Sequence, residues 1–258
     1  KRALQAGTSH YLGQNFAKAF DVKFQDIDNT EKYVYATSWG VSTRLIGALI
    51  MVHGDDQGLR LPPNIAPIQV VLVPIYKTED ELNKIKNYLS TTMNYCTENH
   101  ITYYFDTRKN LSPGYKFNEW EMKGVPIRIE VGLRDLDKNN LTLVRRDTSE
   151  KIIDNIDVLT TTIKPTLDSI QKNLFHEALS FQKENTFTAN SYDEFKKLIN
   201  QGAFIQCGWD GENETEAKIK NETNATIRCI PFTQDIKNLK CIYTSNKAKF
   251  NVIFAKAY

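Results

Sequence analysis

The sequence predicts an α/β chain that grades into α+β, and three observations carry that prediction. From Ile68 onward, apolar strand-like runs alternate with amphipathic helical ones, the pattern of a mixed sheet covered by helices. Before Ile68 the chain instead holds a glycine- and hydroxyl-rich stretch, one strand-like run and one long apolar helix. After about residue 168, charged helices are interspersed with the short apolar runs "AFIQCGWD", "ATIRCIPF", "KCIYT" and "FNVIFAKAY". The expected units are therefore 1–66, 67–168 and 169–258, in keeping with 258 residues at roughly 100 per compact unit.

The first unit opens on "GTSHYLGQNFAKAF", with Gly7, Thr8, Ser9, His10 and Gly13 ahead of the apolar turn of Phe16, Ala17 and Phe20. Hydroxyls, an imidazole and two glycines let the backbone approach a small polar ligand while side chains point at it. The same residues also suit a polar loop in which Thr8 or Ser9 caps the following helix. On the residues alone both readings stand. "KYVYATSW" reads as a strand, and "VSTRLIGALIMV" as a helix with apolar residues on nearly every face, hence a buried one, with Arg44 at its mouth. Gly54 and "GDDQGLRLPP" stop it, and Pro62, Pro63 and Pro67 make a stiff linker.

In the second unit "IQVVLVPIY" reads as a buried strand and "TEDELNKIKNYLSTTMNYCTENH" as one helix, capped by Thr78 with acids in its first turn. "ITYYFD" is the next strand, "NLSPGYKFNEWEMKG" a turn and short helix, and "VPIRIEVG" and "LTLVRRD" are strands before a long helical pattern that starts near Ile153. Between Arg108 and Arg146 bases outnumber acids, which fits a local nucleic-acid surface or a mixed solvated face. The third unit starts with "SYDEFKKLINQG", a helix with Ser191 as cap and Gly202 as stop, and holds the charged helix "NETEAKIKNET".

Composition excludes several classes. With 41% apolar and 25% charged residues the chain is globular, and a net charge of +2 rules out a strongly basic arm. No apolar run approaches the roughly 20 residues that cross a bilayer, so no membrane partner is expected. "KRALQAGTSH" has no signal segment, which reads as a cytoplasmic chain and as part of a longer protein. Cys96, Cys207, Cys229 and Cys241 are too few and too scattered for a disulfide framework.

Five stretches in order, "LQAGTSHYLGQNF", "SWGVSTRLIGALIMVHGDDQGLRLPP", "LSPGYKFNEWEMKGVPIRIEVGLRD", "VRRDT" and a C-terminal tyrosine, resemble the C-terminal half of the prolyl-tRNA synthetases, class II aminoacyl-tRNA synthetases, in their eukaryote-like and archaeal-like form. The resemblance implies part of an antiparallel-sheet catalytic domain, an anticodon-binding domain with a mixed sheet, and a small α+β C-terminal domain. It implies that proline is activated with ATP and Mg²⁺ and passed to proline tRNA by a homodimeric full-length enzyme. On this resemblance His10 lies beside the amino acid, Gln5 and Thr8 on the nucleotide side, and Ser42 contacts ATP. Arg44, from class II motif 3, packs on adenine and reaches the γ-phosphate, a task that suits a planar guanidinium. Motifs 1 and 2 are expected before Lys1, so the chain alone is expected to be inactive. The competing reading is a non-catalytic tRNA-binding module or paralogue.

The resemblance also places Glu121, Arg128 and Arg134 at guanine-reading positions, with Lys116, Phe117 and Trp120 in backbone, packing or stacking roles. Core packing is the preferred reading of the two aromatics. Leu133 stands where relatives often have proline, a departure next to Arg134. Many relatives hold structural zinc through two pairs of cysteines. Cys207 and Cys241 match only the first member of each pair, with "GWDGENE" after one and Tyr243 after the other. Two thiolates fall short of a tetrahedral set, so a zinc-free domain is expected, with Asp210 or Glu212 the residues that could complete a mixed site.

Overall fold

The glycine- and hydroxyl-rich stretch is extended rather than looped. In the computed structural model, which describes residues 1–258, β1 (Thr8–Gly13) pairs antiparallel with β4 (Ala36–Gly40), Thr8 opposite Gly40 and His10 opposite Ser38. Gly13, at φ 55°, turns the chain into α1 (Asn15–Ala19), whose N-cap Gln14 makes no side-chain cap bond. Thr8 and Ser9 therefore cap no helix. The expected single strand "KYVYATSW" is two: β3 (Glu31–Tyr33) folds back on β2 (Lys23–Gln25), and Val34 and Tyr35 separate it from β4. α2 (Arg44–His53) corrects the expectation of a buried helix, since none of its residues is buried and Ile46 is 61% exposed. An all-round apolar helix needs cover on several faces, and residues 1–258 supply little.

The chain divides into two compact units, one of Leu49–Ser180 and one of Lys1–Ala48 with Phe181–Tyr258. In the first of these, β5 (Val70–Ile75) is central. It runs parallel to β6 (Tyr103–Phe105) and β7 (Ile127–Gly132), and β8 (Asn140–Arg145) and β9 (Lys151–Asn155) continue the sheet antiparallel beyond β7. Val70 to Val73 are all fully buried, as a strand covered on both faces requires. Their side chains alternate: Val70 and Leu72 join one core, Val71 and Val73 the other.

The first core lies under α3 (Glu79–Tyr88), α4 (Ser90–Glu98) and α7 (Ile156–Glu184), represented there by Ile85, Leu89, Cys96, Ile163, Ile170 and Leu174. Thr78 caps α3 in a reciprocal box with Glu81, but the expected single helix breaks at Leu89 into α3 and α4. The second core sits under α5 (Pro113–Met122), which Ser112 caps and Pro113 starts, with Trp120 and Val125 against Val71 and Val73. Two elements escape the sequence reading. α6 (Leu133–Asp137) is a single turn begun by the Asp135 carboxylate, which accepts from Gly132 N–H at 2.7 Å, and β9 occupies the start of what reads as helix. α7 runs on past residue 168 to Glu184, with Pro165 inside it. Residues 54–66 are docked within this unit rather than spanning free, as the bond from Leu59 N–H to Met122 O at 2.9 Å shows.

The remaining unit has a four-stranded sheet of order β10 (Thr186–Thr188), β11 (Phe204–Trp209), β13 (Phe250–Lys256), β12 (Ala225–Cys229). Ser191 caps α8 (Tyr192–Asn200), Gly202 at φ 78° ends it, and α9 (Asn213–Thr223) joins β11 to β12. Phe195 of α8 and Phe254 of β13 meet edge to face at 5.4 Å in the core. "KCIYT" is not a strand but a turn held by isolated bridges of Gly208 with Cys241 and of Lys240 with Lys247. Ala3 belongs to the same unit: its N–H donates to Lys256 O at 2.9 Å and its carbonyl accepts from Tyr258 N–H at 3.0 Å. No helix is long and apolar enough to cross a membrane.

Candidate functional site

The residues singled out near the start of the chain fall on one two-stranded ribbon. Period-two alternation puts Thr8 and His10 on one face of β1, with Gly40 and Ser38 directly across. Gln5 Nε2 donates to Thr8 Oγ1 at 2.9 Å. Beyond β4 the chain enters α2 through Ser42, whose Oγ accepts from Arg44 N–H at 3.3 Å while its carbonyl accepts from Leu45 N–H at 3.1 Å. A Cβ on Gly7 would stand 3.4 Å from Gly40 O and from Val41, so the strand before β1 runs close to the segment that leads into Ser42. Gln5, Thr8, Ser42 and Arg44 thus gather along one end of the ribbon and His10 lies further along β1. Arg44 is exposed and no carboxylate pairs with it. Hydroxyls, an amide and a free guanidinium form a donor-bearing surface suited to an anionic ligand.

A second cluster lies in the Leu49–Ser180 unit, where the last turn of α5 meets the start of β7. Glu121 Oε2 stands 3.7 Å from Arg128 Nη1, and Arg128 Nε bonds Glu130 Oε1 at 3.0 Å with its guanidinium 4.8 Å over the Phe117 ring. Trp120, Glu121, Val125, Arg128, Val144, Arg145 and Arg146 line a small open cleft. Arg128 is held by Glu130 and by the Phe117 carbonyl, to which its Nη1 donates at 3.4 Å, whereas the nearest cation to the Glu121 carboxylate is Arg128 Nη1 at 3.7 Å. Arg145 is forked onto Asp147 at 3.0 and 2.8 Å, and Arg146 onto Asp55 at 2.8 and 2.6 Å. The Arg146 bonds hold the Asp55 carboxyl down to about 2. An acceptor and a planar donor side by side match the hydrogen-bonding edges of guanine. In the sequence the only signal for Arg145 and Arg146 is their tandem placement in "VRRDT" before Asp147.

Two residues expected at this site stand apart. Arg134 is exposed on α6, beyond the other end of β7, whose stretch from Arg128 to Gly132 covers about 13 Å at ~3.3 Å per residue. Lys116 is 2% exposed, donates to Asp106 O at 3.1 Å and lies 3.7 Å from Asp106 Oδ1. Burial pushes its ammonium below the usual lysine range. Trp120 is buried as well, its Nε1 donating to Asp106 Oδ2 at 2.8 Å.

In the third region Cys207 and Cys241 are both buried, and burial with Cys241 alongside pushes the Cys207 thiol up to about 12. Asp210 accepts from Thr215 Oγ1 and Thr244 Oγ1, each at 2.9 Å, whereas the Glu212 carboxylate turns to Lys249 at 2.6 Å. The Tyr243 hydroxyl donates to Glu222 at 3.0 Å. Two cysteines whose acidic neighbours Asp210 and Glu212 are engaged elsewhere fall short of the four ligands a tetrahedral zinc takes.

Comparison with known proteins gives two family matches: residues 69–166 match the family described as "Anticodon binding domain", and residues 192–258 the family described as "Prolyl-tRNA synthetase, C-terminal". Among curated relatives, the whole chain is 51% identical over 257 residues to a protein named proline–tRNA ligase from Porphyromonas gingivalis. It is 49% identical over 260 residues to one from Phocaeicola vulgatus and 48% over 258 residues to one from Flavobacterium psychrophilum. The chain spans about half the length of these relatives, 52% in each case.

Proposed function

Since the chain belongs to the prolyl-tRNA synthetase family, over that family's C-terminal region, we propose that the protein carrying it is a proline–tRNA ligase whose anticodon is read by Glu121 and Arg128. The observation that carries this reading is the Glu121 carboxylate, which has no partner closer than Arg128 Nη1 at 3.7 Å in a cleft where the cations are already held by carboxylates. A guanine entering the cleft offers N1–H and N2–H to the Glu121 carboxylate and O6 and N7 to the Arg128 guanidinium. Arg134, at the far end of β7, serves the phosphate backbone of the same strand, and Lys116 serves the fold.

Along the β1–β4 ribbon, Arg44 receives the phosphates of ATP, Gln5, Thr8 and Ser42 fix the nucleotide, and His10 lines the proline pocket. Mg²⁺ supplies charge neutralisation on those phosphates when bound. The proline carboxylate attacks the α-phosphorus and pyrophosphate leaves; the terminal ribose hydroxyl of the tRNA then attacks the prolyl carbonyl of the adenylate, and AMP leaves. These residues bring orientation and fixed positive charge; no covalent enzyme intermediate is needed. A cytoplasmic homodimer belongs to the same proposal and rests on the family resemblance.

The test is Glu121→Ala and Arg128→Ala in an enzyme of the relatives' full length that carries this chain. Charging of tRNA should fall by about 5- to 150-fold, the equivalent of ~1–3 kcal/mol per base contact, with tRNA-independent pyrophosphate exchange unchanged. Normal charging by both variants would overturn the assignment of the readers.

A further inference from the structure

The chain between β12 and β13 folds into a knuckle built as a short two-stranded ladder. Ala248 N–H donates to Leu239 O at 2.9 Å and Cys241 N–H to Asn246 O at 2.7 Å, the two bonds that flank the bridge of Lys240 with Lys247. That pattern makes the lysines a directly opposed pair with no bonds of its own. It is the closer of the two antiparallel spacings, with Cα atoms about 4.5 Å apart and both side chains leaving the same face. The knuckle is anchored to the sheet: Cys241, Ile242 and Ala248 are buried, Ile242 N–H donates to Gly208 O at 2.9 Å, and a Cβ on Gly208 would collide with Lys240 O. Backbone therefore holds the two lysines in place.

Like charges directly opposite each other cost stability, and no carboxylate offsets this pair. Between Arg228 and Lys249 the bases Arg228, Lys237, Lys240, Lys247 and Lys249 face one acid, Asp235, and of the five only Lys249 has a carboxylate partner, Glu212 at 2.6 Å. Other acids of the region are taken. Glu222 accepts from the Tyr192 and Tyr243 hydroxyls at 2.8 and 3.0 Å, Asp210 from Thr215 and Thr244, and Glu216 from Ile227 N–H at 3.0 Å. Two opposed ammoniums without a carboxylate suit a single anion whose oxygens both can reach, as a phosphate's are.

An aromatic pair adjoins the knuckle. Lys249 N–H donates to Trp209 O at 2.9 Å, and the next residue, Phe250, stands opposite Trp209 in the β11–β13 register, the rings stacked 5.8 Å apart. Phe250 is 37% exposed. Cations beside an exposed aromatic are the combination that holds unpaired nucleic acid, with ammoniums on the backbone and a ring on the face of a base. A simple phosphate ester or an acidic peptide would use the lysines and leave the ring idle.

We propose that this knuckle is an RNA contact in its own right: Lys240 and Lys247 bracket one backbone phosphate of an unpaired stretch of tRNA, and Phe250 stacks on an adjacent base. It adds to the Glu121–Arg128 cleft a surface that reads no sequence, since a phosphate and the face of any base are all it touches.

The experiment measures tRNA Kd across a salt series, melting temperature and tRNA-independent pyrophosphate exchange on the full-length enzyme carrying Lys240→Gln with Lys247→Gln, Lys240→Glu alone, or Phe250→Leu alone. The double variant should bind tRNA up to about tenfold more weakly at ~0.1 M salt, with a salt slope flatter by about one ion, as loss of one phosphate contact requires. The loss should be equal for cognate tRNA and for tRNA with a substituted anticodon. Lys240→Glu, which sets a carboxylate opposite Lys247, should lose the same affinity yet melt no lower than the parent, because it replaces repulsion across the ladder with attraction. Phe250→Leu should weaken binding with the salt slope unchanged. Exchange should match the parent in every variant. A parental Kd and slope in the double variant overturn the proposal, as does a loss that differs between the two tRNAs, or one accompanied by lower melting or lost exchange in Lys240→Glu. Parental binding by Phe250→Leu overturns the choice of RNA over a simple phosphate ester. Failure of the assignment of Glu121 and Arg128 shows separately, as a Glu121→Ala enzyme whose tRNA Kd is that of the parent.

Discussion

Replacing Lys116 by Met separates a residue that serves the fold from one that touches RNA. Its ammonium makes one charge-assisted bond, to Asp106 O at 3.1 Å, and sits 3.7 Å from Asp106 Oδ1. Losing that bond costs about 1.5–3 kcal/mol, and no longer burying the ammonium returns a comparable amount. Asp106 keeps the Arg108 fork at 2.9 and 2.7 Å and the Trp120 N–H at 2.8 Å, so Lys116→Met should change stability by only about 1 kcal/mol. Asp106→Asn is the harsher change, because it strands a buried ammonium and should cost about 3–5 kcal/mol. Combining the two should restore at least half of that loss, since the stranded charge is gone. Urea unfolding gives the stabilities, and tRNA binding across a salt series gives the number of phosphate contacts. The reasoning is refuted if Lys116→Met weakens tRNA binding and flattens the salt slope by about one ion at unchanged stability, or if Asp106→Asn costs less than about 1 kcal/mol.

Acid should act on the same aspartate. Burial alone would raise the Asp106 carboxyl, but the bonds from Arg108 and Trp120 outweigh it and leave it at about 2 against an ordinary 3.8. Its contribution of about 2.5 kcal/mol is complete above pH ~4 and is lost as pH falls toward ~2, so Asp106→Asn should flatten the stability profile in that window. Asp55, also near 2, titrates in the same direction, and a Arg146→Lys enzyme should keep less of that slope than the parent. In the full-length enzyme, His10→Ala and Arg44→Ala should each depress proline-dependent pyrophosphate exchange by about a hundredfold or more; normal exchange in the Arg44 variant would remove it from the ATP site. Elemental analysis of protein purified without chelator should find well under one zinc per chain, and a chelator should leave the melting curve in place. One zinc per chain would mean that Asp210 gives up its threonine partners to complete a site.

The sequence was most legible where a side chain acts on its own neighbourhood. Thr78 and Ser191 mark the starts of α3 and α8 because each cap bond closes within three residues. Gly202 marks an end for the same local reason. Legibility failed where the decisive partner is distant. Lys116 looks like a solvated lysine until Asp106, ten residues earlier, is seen beneath it, and Arg134 and Arg128 look like neighbours until β7 carries them apart. "KCIYT" has the composition of a strand but no edge to pair with, and Lys151–Asn155 pairs as β9 only because β8 lies beside it. α2 is the reverse case: its pattern demands cover, which residues 1–258 do not supply. At the site, Gln5, Thr8, Ser42 and Arg44 gather as a matter of strand register, while the locking of Arg145 and Arg146 by Asp147 and Asp55 leaves no trace in local pattern.

The pairing of Ala3 with Lys256 and Tyr258 sets a timetable for synthesis. A ribosome that has just translated Ala3 must still add the whole intervening chain before the partner strand exists, which at ~5–20 residues per second takes on the order of 10–50 seconds. Over that interval the residues leading into β1 emerge with nothing to pair with, while the Leu49–Ser180 unit has all of its strands available and can fold as the nascent chain lengthens. Closure of the unit that holds the candidate ATP residues is then among the latest events. A message truncated shortly before the codon for Lys256 would leave Ala3 without its partner, however well the middle unit had folded.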